Sequence, residues 1–277
     1  MLGTAEKREL VLRAIEAGVR RVEVSSFVNP RLIPQLADAT ELFSSLGQID
    51  GVELSALVLN EKGVERAIAS GVEAIDVVVL ASDTFSHRNQ GTDIAGMLKR
   101  YYVIHAAAKR AGQRVTLTVS AAFGCPFEGM VPVARVAEIL SNVSQAAPDE
   151  LALADTIGVG VPSQVHELFG LAGERLPGVP LRAHFHNTRN TGYANALAAA
   201  ESGVSALDAA LGGIGGCPFA PAATGNIASE DLAYLLAREG WQTGLDVDRY
   251  LDASTWLASV MGRELPGFVA RAGAALL

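Results

Sequence analysis

The sequence predicts an α/β protein folded as a TIM (β/α)8 barrel that lacks its first strand. Short β-branched runs alternate with longer amphipathic segments along the whole chain, as in repeated strand–helix units with a parallel sheet. Each unit takes about 25 to 40 residues, which suits one strand and one helix of such a barrel. Polar and reactive side chains follow the strands, where the catalytic groups of these barrels lie.

The pattern of β-branched runs predicts seven strands. They span residues 21–28, 52–59, 74–82, 114–123, 150–155, 180–187 and 206–213. Amphipathic periodicity predicts helices at residues 4–17, 93–111, 133–146, 163–175 and 192–202, with C-terminal helices from about residue 246. A doubly wound sheet is the alternative, but it requires a glycine-rich turn after its first strand, and none is present there.

The first predicted helix, residues 4–17, has no strand before it. We therefore expect the opening strand of the barrel to be missing, through a truncation or a misassigned start. Its loss would leave two open edges in the barrel wall, which native barrels avoid by closure.

Composition limits the possible partners. The chain has 277 residues, 49% of them hydrophobic, and we expect one domain over residues 1–277. A net charge of −8 disfavours nucleic acid and anionic membranes, so the expected partner is a small molecule. The sequence contains neither a long apolar run nor a secretory signal, which predicts a cytoplasmic protein with free thiols at Cys125 and Cys217.

His184 and His186 lie two residues apart in the segment R-A-H-F-H-N at the end of the sixth predicted strand. Alternate residues of a strand share a face, so both imidazoles could bind one metal ion. Two hydrogen-bonded structural histidines are the alternative. Asn226 could add an amide oxygen, and such nitrogen and oxygen ligands suit a divalent cation that acts as a Lewis acid.

A glycine-dense loop, G-G-I-G-G-C-P, leads to Cys217. A mobile loop can close over a substrate, and its thiol can deliver or accept a proton, although a free cysteine can also simply fill space. Cys125 lies in a similar G-C-P-F turn, and we expect it to be structural.

Three carboxylates are candidates for the site, and two of them lie at or near predicted strand ends. Glu23 and Asp155 are expected to orient ligands or a polar substrate, with a structural ion pair as the alternative. Glu230 opens the helix after Asn226, where it could simply favour the helix dipole. Three other histidines are expected to be surface or packing residues: His87, His105 and His166.

Five segments taken together resemble the hydroxymethylglutaryl-CoA lyase family of metal-dependent lyase and condensing-enzyme barrels. They are E-V-S-S-F-V, F-G-C-P-F-E-G, A-D-T-I-G-V-G, H-F-H-N-T and G-G-I-G-G-C-P-F-A-P-A-A-T-G-N-I-A-S-E-D-L, and they follow the family's order from about Thr4 to the C-terminus. The resemblance implies cleavage of 3-hydroxy-3-methylglutaryl-CoA to acetyl-CoA and acetoacetate in leucine degradation. It also implies a Mg²⁺ or Mn²⁺ cofactor and a homodimer.

The resemblance also implies roles for individual residues. It makes His184, His186 and Asn226 metal ligands. The implied catalytic residues are Cys217, His184, Asp155 and Glu23, and the implied substrate-binding residues are Ser26 and Glu230.

The chain departs from the family in two places. The family's R-D-G-L-Q motif, which supplies an aspartate ligand and an enolate-stabilising arginine, is missing. Asn187 stands where many members have aspartate, which removes a negative charge. Two alternatives therefore stay open: an enzyme that condenses an acyl-CoA with a 2-oxo acid, and a catalytically impaired barrel that binds a CoA ester.

Overall fold

The computed structural model describes residues 2–216 and 225–273. Seven parallel strands form one sheet, and a short antiparallel hairpin follows the fourth of them. The strands are β1 (Arg21–Ser26), β2 (Glu53–Val58), β3 (Ala74–Leu80), β4 (Arg114–Ser120), the hairpin strands β5 (Gly124–Cys125) and β6 (Gly129–Met130), β7 (Glu150–Asp155), β8 (Leu181–Phe185) and β9 (Ala206–Asp208). The order in the sheet is β1-β2-β3-β4-β7-β8-β9, so β1 and β9 are its edges.

Helices follow the strands as the alternation predicts. They are α1 (Thr4–Glu16), α2 (Ala39–Leu46), α3 (Glu61–Ala69), α4 (Asp83–Gln90), α5 (Ile94–Arg110), α6 (Val133–Val143), α7 (Pro162–Arg175), α8 (Gly192–Glu201), α9 (Ser229–Arg238), α10 (Val247–Met261) and α11 (Val269–Ala272). No helix in the described ranges is both long and apolar enough to cross a membrane.

Contacts across the sheet show that it curls into a barrel wall. Arg21 on β1 binds Glu150 on β7 at 2.6 Å, and Arg182 on β8 forms an ion pair with Asp76 on β3. Such contacts between distant strands require that one face of the sheet be concave. The predicted barrel class and the seven parallel strands are therefore confirmed.

Six of the seven predicted strands end earlier than their apolar runs suggest, and two of them end three or more residues early. The seventh stops at Asp208, and further on Gly212 and Gly213 adopt φ values of +66° and +68° within a 3-10 segment. The fourth stops at Ser120, where Ala121 takes a φ of 54° and leads into the hairpin, which the sequence analysis did not predict.

Apolar side chains pack between the sheet and the surrounding helices. β3 and β4 supply β-branched residues that are almost fully buried, such as Val79 and Val119. A second apolar cluster joins α1 to α10 and includes Ala17, Tyr250 and Leu257. This second cluster places the C-terminal helices against the first helix of the barrel.

Candidate active site

The carboxyl end of β8 carries the histidine pair. Arg182 and His184 alternate along β8 and share its inner face, and His186 follows directly after the strand at the same spacing. The rings of His184 and His186 have their centroids 5.3 Å apart. The His184 side chain is 29% exposed, whereas His186 is buried. The structure thus brings the two predicted ligands together at the mouth of the barrel.

Asn226 lies beside this pair. Its backbone forms an isolated antiparallel bridge with His186, and its Nδ2 donates to the Ile214 carbonyl oxygen at 3.1 Å. Its Oδ1 is buried and has no hydrogen-bond partner among the residues that the structure describes. A buried amide oxygen without a partner is costly, and a bound cation would satisfy it.

These donors fit a divalent metal ion. Imidazole nitrogens and an amide oxygen are ligands that such cations accept, with substrate oxygens or water for the open positions. Across the described ranges, no three His, Cys, Asp or Glu side chains come together as a metal-binding group. The ligands available for a metal ion are therefore the two histidines and the amide oxygen of Asn226. No carboxylate of the described residues joins them.

Asp208, which the sequence analysis did not single out, contacts His184. It ends β9 in register with His184, and its Oδ2 lies 3.2 Å from His184 Nδ1. Arg182 Nε lies 3.5 Å from the same oxygen. Burial opposes ionisation here, yet the Arg182 guanidinium and His184 hold the pKa of Asp208 below its usual range. The sequence signal was an acidic residue inside the seventh predicted strand, residues 206–213.

Glu23 faces the barrel interior in register with Ser55, whose hydroxyl donates to Asp76 at 3.2 Å. Protein atoms around it and the neighbouring carboxylate of Asp76 raise the pKa of Glu23 well above its ordinary value, against the opposing charge of Arg182. Solvent nonetheless reaches Glu23, because β1 is an edge strand. The structure places Glu23 among charged groups beneath the histidine pair.

Ser26 owes its orientation to a bulge in β1. The pairing of β1 with β2 shifts between Glu23 and Ser25, so that Ser26 registers with Leu57. Its Oγ donates to the Leu57 carbonyl oxygen at 3.2 Å, and the residue is buried. In the structure, Ser26 therefore joins two strands of the wall.

Asp155 binds the loop that follows its own strand. Oδ1 accepts from the Val159 amide at 3.0 Å and Oδ2 from the Gly160 amide at 2.7 Å. The side chain is fully buried, and this burial raises its pKa in spite of the amide donors. The carboxylate thus acts on the loop that passes beside His186.

Glu230 joins the glycine-rich segment to the C-terminal helices. Its Oε2 accepts from the Gly212 amide at 3.0 Å, and its Oε1 accepts from the Ser254 hydroxyl at 2.8 Å. Burial raises its pKa. The structure therefore places Glu230 beneath the loop that leads to Cys217.

Several remaining predictions concern residues near this site. Cys217 lies outside the described residues. Cys125 is a buried free thiol, 2.9 Å from the Ser82 hydroxyl, in keeping with a structural role. Asn187 Oδ1 accepts from the Gly192 amide at 3.1 Å, at the first residue of α8. The side-chain oxygen of Asn187 thus pairs with the first backbone amide of α8.

The fold and this geometry define a class: a barrel enzyme whose reactive groups collect at the carboxyl ends of its strands. Comparison with known proteins narrows the class. The HMGL-like family model matches residues 1–257, and the chain belongs to that family. Its relatives are lyases, and the protein is a lyase-type enzyme.

Two curated relatives and one solved structure illustrate the similarity. The (R)-citramalyl-CoA lyase of Chloroflexus aurantiacus is 42% identical over 99% of this chain and 89% of its own length. The mitochondrial hydroxymethylglutaryl-CoA lyase of Bos taurus is 36% identical over 97% of this chain and 83% of its own. The structure of an HMG-CoA lyase from Acinetobacter baumannii, in complex with coenzyme A and 3-methylmalate, has a TM-score of 0.95 at 34% identity. The match covers 99% of this chain and 90% of the chain in that structure.

Proposed function

We propose that the protein is a divalent-metal-dependent lyase that breaks a carbon–carbon bond in a CoA thioester with a tertiary hydroxyl group. One observation carries the proposal: the histidine pair lies beside Asn226, whose buried Oδ1 has no hydrogen-bond partner within the described ranges. The relatives named for CoA thioesters, and the neighbouring structure that contains coenzyme A, support the substrate class.

His184, His186 and Asn226 would hold the cation at the mouth of the barrel. The site would then supply Lewis-acid chemistry, which would lower the pKa of the substrate hydroxyl group. Mg²⁺ and Mn²⁺ are the cations we propose.

The protein's own residues complete the reaction. A base takes the hydroxyl proton, the carbon–oxygen bond becomes a carbonyl, and the adjacent carbon–carbon bond breaks. Its electron pair stays on the thioester fragment as an enolate, which takes a proton from the Cys217 thiol and becomes acetyl-CoA. The thiolate then recovers a proton from solvent. In this proposal, Asp155 fixes the loop beside His186, and Glu230 fixes the glycine-rich segment that leads to Cys217. Glu23 and Ser26 lie on β1, in the wall of the site.

His184 can serve as either ligand or base, because Nδ1 lies beside Asp208 and no hydrogen bond joins Nε2 to a residue that the structure describes. The variant His184→Ala distinguishes the two roles. Loss of bound metal together with turnover supports a ligand, whereas loss of turnover with stoichiometric metal retained supports a base.

Two substrates are candidates within this class. Cleavage of 3-hydroxy-3-methylglutaryl-CoA gives acetyl-CoA and acetoacetate, and would place the enzyme in leucine degradation. The 42% identity to a citramalyl-CoA lyase favours a second candidate, citramalyl-CoA, whose cleavage gives acetyl-CoA and pyruvate. Both substrates carry a methyl group and the hydroxyl on the same carbon. A cytoplasmic location and a homodimer stay predictions.

The deciding experiment supplies each thioester to the chelator-treated protein, with and without Mg²⁺ or Mn²⁺, and measures acetyl-CoA, acetoacetate and pyruvate. Metal-dependent cleavage of either substrate supports the lyase, and the faster one identifies the substrate. If a folded, metal-loaded protein cleaves neither, the lyase proposal is wrong. Acetyl-CoA with a 2-oxo acid then tests condensation, and binding of a CoA ester without turnover tests the impaired barrel.

A further inference from the structure

The contact between Asp208 and His184 depends on the pairing of two strands. β8 and β9 run parallel, and their register places His184 directly beside Asp208 on the inner face. The Oδ2 of Asp208 lies 3.2 Å from His184 Nδ1, within reach of a hydrogen bond. Both side chains are about one-third accessible to solvent, so the pair lies where the interior of the barrel meets solvent.

We propose that Asp208 is a positioning residue for His184: its carboxylate accepts a hydrogen bond from Nδ1–H and leaves Nε2 without a proton toward the mouth of the barrel. The inference rests on the proposed function only in taking His184 as a metal ligand. A histidine can bind a cation only through an unprotonated nitrogen, and a carboxylate on the other nitrogen fixes both the tautomer and the ring orientation.

Arg182 keeps the carboxylate of Asp208 in place. Its Nε lies 3.5 Å from Asp208 Oδ2 and 3.7 Å from Glu150 Oε2, while its Nη2 binds Asp76 on the opposite wall. Arg182 is therefore held from several sides and cannot follow Asp208 if that residue turns away. A restrained cation beside Oδ2 restricts the carboxylate to the side that faces His184.

A simpler interpretation is that Asp208 only balances the charge of Arg182. The distances argue against it, because Arg182 already has Asp76 as a close partner, and the Asp208 oxygen lies nearer to His184 than to Arg182. A role in charge balance alone would also not depend on which ring nitrogen of His184 carries the proton. The tautomer is therefore the property that separates the two interpretations.

The first test reads this tautomer by long-range ¹H–¹⁵N NMR on the uniformly labelled, chelator-treated protein. The spectra are recorded at about pH 8, above the ordinary histidine pKa of about 6.5. The chain has five histidines, and a His184→Gln spectrum assigns the signal. We expect the Nδ1–H tautomer in the wild-type protein and a shift toward Nε2–H in Asp208→Ala. An Nε2–H tautomer in the wild-type protein, or an unchanged tautomer in the variant, overturns the proposal.

The second test measures Mn²⁺ affinity by titration calorimetry. Loss of an outer partner of a metal-binding histidine typically costs about 10- to 100-fold in affinity, and we expect a loss in this range for Asp208→Ala. Asp208→Asn keeps the volume and serves if the alanine variant does not fold. Asp252→Asn, which removes an exposed carboxylate on α10, is the control and should bind Mn²⁺ like the wild-type protein.

The two proposals fail in different ways. Absence of turnover with every thioester overturns the proposed function, while the tautomer of His184 still decides the role of Asp208. Normal turnover in the wild-type protein, with Mn²⁺ affinity and tautomer unchanged in Asp208→Ala, overturns the positioning role and leaves the function intact.

Discussion

Gly158 packs directly against the backbone of His186. A β-carbon at position 158 would lie 2.9 Å from the His186 carbonyl oxygen and 2.9 Å from Thr188 Cβ, and the φ of Gly158 is +61°. The loop after β7 therefore comes close to the second histidine only because residue 158 has no side chain. Asp155 holds the same loop through the amides of Val159 and Gly160, so that one loop supports the segment that carries the histidine pair.

The variant Gly158→Ala tests this close approach. Left-handed backbone strain and the steric conflict together should destabilise the protein by about 2 kcal/mol or more and lower its affinity for Mn²⁺. The matched control is Gly170→Ala in α7, where a β-carbon meets no atom within 4 Å. It should stabilise the protein by about 0.5–1 kcal/mol. Urea unfolding measures both, and equal effects in the two variants would contradict the argument.

The variant Asp155→Asn tests the anchoring of the loop. Its amide keeps one acceptor oxygen and turns an NH₂ group toward a backbone donor, so one buried amide loses its partner. We expect a loss of about 1–3 kcal/mol in the free energy of unfolding, with reduced turnover because the loop supports His186. Glu167→Gln, an exposed change on the following helix, should have almost no effect on unfolding. Wild-type stability in Asp155→Asn would show that the two hydrogen bonds contribute little.

The contacts of Glu230 predict coupling between the glycine-rich segment and α10. Glu230→Gln and Ser254→Ala should each destabilise the protein by about 1–3 kcal/mol, because each disturbs a buried hydrogen bond of the same carboxylate. The double variant should lose less than the sum of the single losses, since the residues share one interaction. Thermal or urea unfolding of the four proteins provides the comparison. Strict additivity would mean that the two contacts act independently.

The sequence predicts the barrel because its strands and helices have distinct apolar periods. It predicts the histidine pair for a similar local reason: residues two apart on one strand share a face. Both properties depend on neighbouring residues, and the structure confirms the fold and brings the pair together.

Other features depend on distant segments and could not be predicted in this way. The contact of Asp208 with His184 follows from the register of two strands, and the direction of Ser26 follows from a bulge in β1. Asp155 lies at the predicted strand end, but its carboxylate turns to the amides of the following loop. Side-chain direction at the end of a strand depends on where the strand stops and on what the next turn leaves unpaired.

The proposed proton transfer predicts the effect of Cys217→Ala. Removing the thiol should lower kcat by about 100-fold or more, as expected for the loss of a general acid, and should leave Mn²⁺ affinity unchanged. Cys125→Ala is the matched control, because that thiol is buried beside Ser82 and has no part in the proposed reaction. Acetyl-CoA release on the preferred thioester is the measurement. Unchanged turnover in Cys217→Ala would exclude the thiol as the proton donor.

The raised pKa of Glu23 predicts a dependence of stability on pH. Protein atoms around this carboxyl and the charge of Asp76 favour the protonated form, so the folded protein keeps the proton at pH values where the unfolded chain has released it. The stability gained from this proton is fully present below the ordinary glutamate pKa of 4.5 and is lost as pH rises through the raised pKa. Glutamine cannot ionise, so Glu23→Gln should gain in Tm over the wild-type protein as pH rises across this window.

Differential scanning calorimetry at a series of pH values checks this prediction. The Tm difference between Glu23→Gln and the wild-type protein should be smallest near the ordinary glutamate pKa and should grow toward neutral pH. Glu61→Gln removes an exposed charge at the start of α3, far from the barrel interior, and should follow the wild-type profile. Parallel curves for Glu23→Gln and the wild-type protein at every pH would mean that solvent entering beside β1 screens Glu23 from Asp76.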